Sequence, residues 1–195
     1  MALGPCAAHA QWLDYAQADT SSTAKTVVLV KALGTSTAAS PAPLVAATYT
    51  QWSTGRSSSV GYTHRWSITG DPHQWIVGLG AGVNDWQSRV PDDHRSQTSL
   101  SARAQSEWIG PAPGGSYYAL VQASSFRASW LATAQYALSG TPLAPEWTRY
   151  HERDYQATSL GLRVAVGVPR WFVRVGATHA EGKVRPYIGI AYNGF

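Results

Sequence analysis

Hydrophobic and polar positions alternate along most of this chain. Leu160, Leu162, Val164, Val166 and Val168 fall on one side of a period of two, and Gly161, Arg163, Ala165 and Gly167 on the other. After Val168-Pro169-Arg170 the pattern resumes, with Trp171, Val173, Val175 and Ala177 against Phe172, Arg174, Gly176 and Thr178. Upstream, Val60, Tyr62, His64, Trp66 and Ile68 oppose Ser59, Gly61, Thr63, Arg65 and Ser67. Trp75, Val77, Leu79, Ala81 and Val83 oppose Gly78, Gly80 and Gly82. A period of two marks strands with two unlike faces. Alternation and turn residues together predict ten strands, near 26–34, 44–53, 57–68, 73–85, 97–109, 115–125, 127–138, 157–168, 171–179 and 184–195.

Strands of about 9–13 residues are long for a soluble sheet and suit a tilted membrane crossing. A wholly apolar face opposite a small, polar or cationic one is how a barrel divides lipid from lumen. The expected fold is therefore all-β: a closed antiparallel transmembrane β-barrel of about ten strands, within a range of 8–12. The alternative for such a pattern is a secreted soluble sandwich. The last strand ends in Phe195, as outer-membrane barrel strands do, although Phe195 is one residue out of phase with Ile188, Ile190 and Tyr192.

Composition agrees with a barrel. Charged residues make up 13% of the chain, against about 25% in soluble domains. Nine Trp and ten Tyr stand against three Phe, the bias of a membrane–water interface. No stretch approaches the ~20 apolar residues of a spanning helix. The net charge is +4, but Lys and Arg are dispersed without a run, so a nucleic-acid partner is not expected. The single cysteine, Cys6, forms no internal disulfide. Ala8-His9-Ala10 before Gln11 reads as a signal-peptide cleavage site. Residues 1–10 are expected to be a signal-peptide remnant, and 11–195 one barrel domain.

The sharpest expectation at residue level concerns the arginines. Arg65, Arg103, Arg163 and Arg174 share faces with Gly, Ser or Thr, which places them in the lumen. A charge on the lipid face near the midplane costs about 2–4 kcal/mol. Their expected role is to brace the barrel, with Glu107 the one acid clearly on the same face. With the N-terminus in the periplasm, the turns at 54–56, 126 and 168–170 fall on the periplasmic side, and the 35–43 and 139–156 loops fall outside. The long connection from Trp86 to Ser96 breaks that alternation.

Catalytic chemistry finds little support. No motif marks a serine as nucleophile, and His179 lacks the neighbouring serine of a barrel deacylase. Pro91-Asp92-Asp93-His94-Arg95 is a dense polar cluster, but it sits within one loop. No metal-ligand spacing or phosphate loop is present, so neither a cofactor nor a metal is expected. In the 139–156 loop, Glu146, Trp147, Arg149, Tyr150 and His151 mix aromatic and hydrogen-bonding groups, a combination that suits either a packed cap over the barrel mouth or carbohydrate recognition, the cap being the expectation favoured.

The landmarks from about residue 57 onward resemble the BcsS family, small outer-membrane barrels of cellulose biosynthesis. They are Val60-Gly61-Tyr62, the Gly-rich Val77–Val83 strand, Asp92-Asp93, Glu107-Trp108, Ala123-Ser124-Ser125-Phe126 before Trp130, Leu143-Ala144-Pro145-Glu146, Tyr155 before Leu-Gly-Leu-Arg-Val, and Pro186-Tyr187. The resemblance implies a non-enzymatic barrel in the bacterial outer membrane that assists cellulose or exopolysaccharide export. Its partners would be outer-membrane lipid, the polysaccharide and its secretion apparatus. The competing expectations are a lipid A deacylase-like or protease-like barrel hydrolase, and a small passive pore.

Overall fold

The computed structural model describes residues 13–34, 37 and 39–193. The expected signal-peptide remnant and Phe195 lie outside them. Twelve strands close into one antiparallel barrel: β1 Tyr15–Ser21, β2 Lys25–Ala32, β3 Leu44–Gln51, β4 Gly55–Thr69, β5 Gln74–Ser88, β6 Ser96–Ala112, β7 Gly115–Ser124, β8 Ser129–Leu138, β9 Leu143–Glu152, β10 Tyr155–Ala165, β11 Trp171–Ala180 and β12 Lys183–Asn193. Each strand pairs with its sequence neighbours, and β1 pairs with β12 to close the ring. Closure pairs every strand on both sides, the condition for a sheet to face hydrocarbon.

The count corrects the expected ten. β1 was not anticipated, because Tyr15-Ala16-Gln17-Ala18-Asp19 offers only alanines for its apolar face. β9 falls within the stretch read as an outer loop. Leu143-Ala144-Pro145-Glu146 carries a proline and a charge in a short run, both loop-like by composition. Pro145 pairs with Leu162 all the same.

Two added strands move the connections. We call the end where β1 begins and β12 finishes proximal, and the other end distal. The connections at 52–54, 89–95 and 125–128 are distal, and the one between β2 and β3 is proximal, the reverse of the expected sides. The 139–156 loop becomes two turns on opposite ends, 139–142 and 153–154. The connection after Trp86 is shorter than read, since β5 continues to Ser88.

The outer wall is apolar. Leu100 is 80% exposed, Val184 70%, Leu160 64% and Leu79 61%. Exposure on that scale, repeated around a closed sheet, is a lipid-facing belt. Trp171 and Tyr192 pack together at its proximal edge, and Trp130 and His151 at its distal edge, where aromatic rings meet the headgroups.

Candidate functional site

The bore is the candidate site, and its side chains form three layers. The proximal layer is charged. Arg65 on β4 donates from Nη1 to Glu107 Oε1 on β6 at 3.1 Å and from Nε to the Ala42 carbonyl at 2.8 Å. Ala42 is buried, so the connection before β3 folds onto this mouth. Gln105 donates to the same Glu107 oxygen at 2.8 Å.

On the opposite wall, Glu146 of β9 is the hub. Arg174 Nε donates to its Oε1 at 3.0 Å, Tyr187 donates at 2.9 Å, and Arg163 Nε lies 3.9 Å from Oε2. Arg174 also pairs with Asp19 of β1, and Arg163 donates to Gln135 at 2.6 Å. Gly161 makes this crowding feasible, because a side chain there would overlap the Tyr187 hydroxyl.

The middle layer is neutral and partly open. Hydroxyl pairs line it: Thr48 with Ser59 at 2.7 Å, Thr133 with Thr148 at 3.1 Å, and Ser159 with Thr178 at 2.7 Å. All six side chains are half-buried, unlike the buried charges of the proximal layer. Arg103 projects from β6 at the edge of the waist.

The distal layer is a plug. A single 3-10 turn, Phe126–Ala128, joins β7 to β8 and folds Phe126 and Arg127 inward. Arg127 and Ala128 take positive φ, 50° and 48°, a conformation that costs a non-glycine residue energy and is held only by strong contacts. Those contacts are present. Arg127 Nε donates to Glu152 Oε1 at 2.7 Å, its Nη2 pairs with Asp154, and its guanidinium lies 4.0 Å from the Trp86 ring centroid. Tyr150 donates to the second Glu152 oxygen at 2.6 Å. Trp52, Trp86, Phe126 and Tyr155 pack around this pair, with Trp52 stacked on Tyr155 at 4.9 Å.

The five residues read as a recognition loop are strand residues. They alternate across the wall of β9 instead of sharing one surface: Glu146 and Tyr150 face the bore, whereas Trp147, Arg149 and His151 face outward. Arg149 lies 5.7 Å from the Trp130 ring, and His151 stacks on the same ring. Arg65, Arg103, Glu107, Arg163 and Arg174 are all buried inside the bore. Asp19, Arg127 and Glu152 were not singled out from the sequence. The first lies on the unanticipated β1. The other two are brought together by a turn conformation that has no sequence signal.

The described histidines are scattered. His64, His151 and His179 point outward, and His73 meets Tyr117 at the proximal end. Asp93 is engaged by its own loop: Arg95 Nε donates to both of its oxygens at 2.9 and 3.0 Å, and Ser88 donates at 2.7 Å. Among the described residues no three His, Cys, Asp or Glu side chains group as metal ligands.

Comparison with solved structures fits this geometry. The barrel resembles a small outer-membrane porin. KdgM porin in complex with disordered oligogalacturonate superposes with a TM-score of 0.55 over 92% of this chain and 97% of that one, at 8% identity. The outer-membrane protein Omp33 of Acinetobacter baumannii gives 0.54 over 93% and 98%, at 7% identity. No family model and no curated protein matches the sequence. At such identities the likeness is one of fold. That fold, with its apolar belt and polar bore, belongs in the bacterial outer membrane.

Proposed function

We propose that this protein is a narrow passive pore for small hydrophilic solutes, with the Phe126–Arg127 turn as its distal gate. The observation that carries this reading is the half-buried hydroxyl waist between two layers of buried charge. A barrel meant only as a scaffold gains most from a continuous packed interior. Here half-buried hydroxyl pairs lie behind a plug carried by one short turn. The proximal layer is borne by strands on both walls and is the constriction. The distal layer depends on one arginine in a strained turn, so it is the part that moves. KdgM porin, similar in fold, was solved with an acidic oligosaccharide. A solute of that general kind, small and hydrophilic, suits a bore lined with hydroxyl and guanidinium groups.

Recording in planar bilayers tests the proposal. Wild-type protein should give small, flickering conductance steps, and Arg127→Ala should give larger and steadier ones. Silent insertion of both proteins, with heat-modifiable gel mobility showing folded barrels, would reject a pore. That result would favour the exopolysaccharide-accessory role that the BcsS resemblance implies.

A further inference from the structure

Three of the four interior arginines of the strands have carboxylate partners, and Arg103 has none. Arg65 pairs with Glu107, while Arg163 and Arg174 share Glu146. Arg103 is equally buried, at 7% exposure, yet among the described residues it forms no ion pair. Its single hydrogen bond runs from Nη2 to Asn84 Oδ1 at 3.2 Å, and its buried Nε has no acceptor. An arginine cannot shed its charge to relieve this, and an unpaired buried cation is strongly disfavoured.

The surroundings are built around the guanidinium. It lies flat against the inner wall over Gly61 and Gly82, where a side chain at either position would overlap it. Asn84 is oriented by donating from Nδ2 to Ser101 Oγ at 2.7 Å, which turns its oxygen toward Arg103. The result is a fixed guanidinium at the edge of the waist, with donors left over and no acid to take them.

We infer that Arg103 is the centre of a small-anion site inside the bore. The ligand is a compact anion: a halide, or the carboxylate of a small solute, either of which accepts from guanidinium N–H groups. Asn84 sets one side of the site, and the hydroxyl waist admits the ion. The site stands on the missing counter-charge and does not depend on conduction, so a silent barrel would still bind.

The test uses the full chain in detergent and the variant Arg103→Gln, which removes the charge and keeps polarity. Replacing the bulky sulfonate HEPES with chloride at constant ionic strength should raise the wild-type unfolding midpoint by about 2–4 °C at saturation. The midpoint of Arg103→Gln should stay flat. In crystals grown with bromide, anomalous density should appear beside Arg103 in the wild type. Adding acetate separates the two ligand sources: loss of the bromide peak shows that carboxylates share the site, and retention shows that it holds halide. Equal chloride shifts in both proteins, or wild-type crystals with no bromide at Arg103, would overturn the inference. In that case water alone satisfies the group.

Discussion

The two ends of the bore are narrowed by the same chemistry and built in different ways. Both use buried arginine–carboxylate pairs backed by tyrosine. At the proximal end, the participants stand on regular strands: Arg65 and Glu107 on β4 and β6, and Asp19, Glu146, Arg163, Arg174 and Tyr187 on β1, β9, β10, β11 and β12. All but Arg65 are paired with a strand on both sides, and Arg65 is paired with β5 and bonded to the Ala42 carbonyl. At the distal end, the arginine sits on a three-residue turn in a left-handed conformation, and its partners are the last residue of β9 and the turn that follows. Strand-borne charge makes a fixed brace. Turn-borne charge makes a latch, because one local change of φ and ψ can withdraw it.

The largest expected effect therefore belongs to the proximal hub. Glu146→Gln removes the carboxylate shared by two buried arginines. Breaking a buried pair from one side costs about 3–5 kcal/mol. Denaturant titration of the folded barrel should show a loss of that size, with heat-modifiability of the remaining folded fraction preserved. A loss no greater than that of an exposed pair would remove the distinction between brace and latch.

The next effect is functional. Arg127→Ala should raise conductance while costing less stability than Glu146→Gln, because it breaks one buried pair, with Glu152, and one at an exposed rim, with Asp154, whereas Glu146 serves two buried arginines. If Arg127→Ala proves the more destabilising of the two, the distal layer is the brace.

Arg163→Leu should act more mildly. Its contact with Glu146 is long, at 3.9 Å, and its closer contacts are a hydrogen bond to Gln135 and the Phe172 ring, 4.8 Å from its guanidinium. A hydrogen bond to a charged group contributes about 1.5–3 kcal/mol. The unfolding temperature in detergent should fall, and membrane insertion should remain intact. Failure to insert would show that this arginine is needed for assembly and not only for bracing.

The smallest effect lies outside the bore. Arg95 and Ser88 hold the Asp93 carboxyl well below the usual carboxylate range. For a depressed carboxyl, the contribution is present above its ordinary value and disappears as pH falls through the lowered one. Acidification through the ordinary range should therefore leave the 89–95 loop unchanged, which carboxyl chemical shifts in NMR would follow. Asp93→Asn should leave global unfolding unchanged, since the pair sits on an exposed loop. A titration of Asp93 at the ordinary carboxylate value would mean that the contact is not kept in solution.

The same contrast explains what the sequence made legible. The faces of β4, β5, β6, β8, β10 and β11 were readable because large apolar side chains mark the lipid side at every second position. The interior arginines were readable with them, since a charge opposite leucine and valine has one side to go to. The acids that balance them were harder. Asp19 stands on a strand whose outward residues are alanines, and Glu146 stands in a run with Pro145 and Arg149 that reads as loop. Missing β1 and β9 left Glu107 as the only visible acid and turned most connections to the wrong end. The distal plug had no periodic signal, because it depends on the dihedral angles of Arg127 and Ala128 and on the distant Trp86 and Glu152.

Strand β9 is where the account is most directly exposed to test. Single cysteines would be placed at positions 147 and 148 in a chain whose native Cys6 is replaced, and the folded protein reconstituted in bilayers. The structure turns Trp147 to lipid and Thr148 to the hydroxyl waist, one residue apart. A small hydrophilic thiol reagent should modify position 148 and spare 147. A fluorophore at 147 should be quenched by brominated lipid, and one at 148 should not. Equal modification of both positions from water, with no lipid quenching, is the behaviour of an external loop and would contradict both the twelve-stranded barrel and the chamber within it.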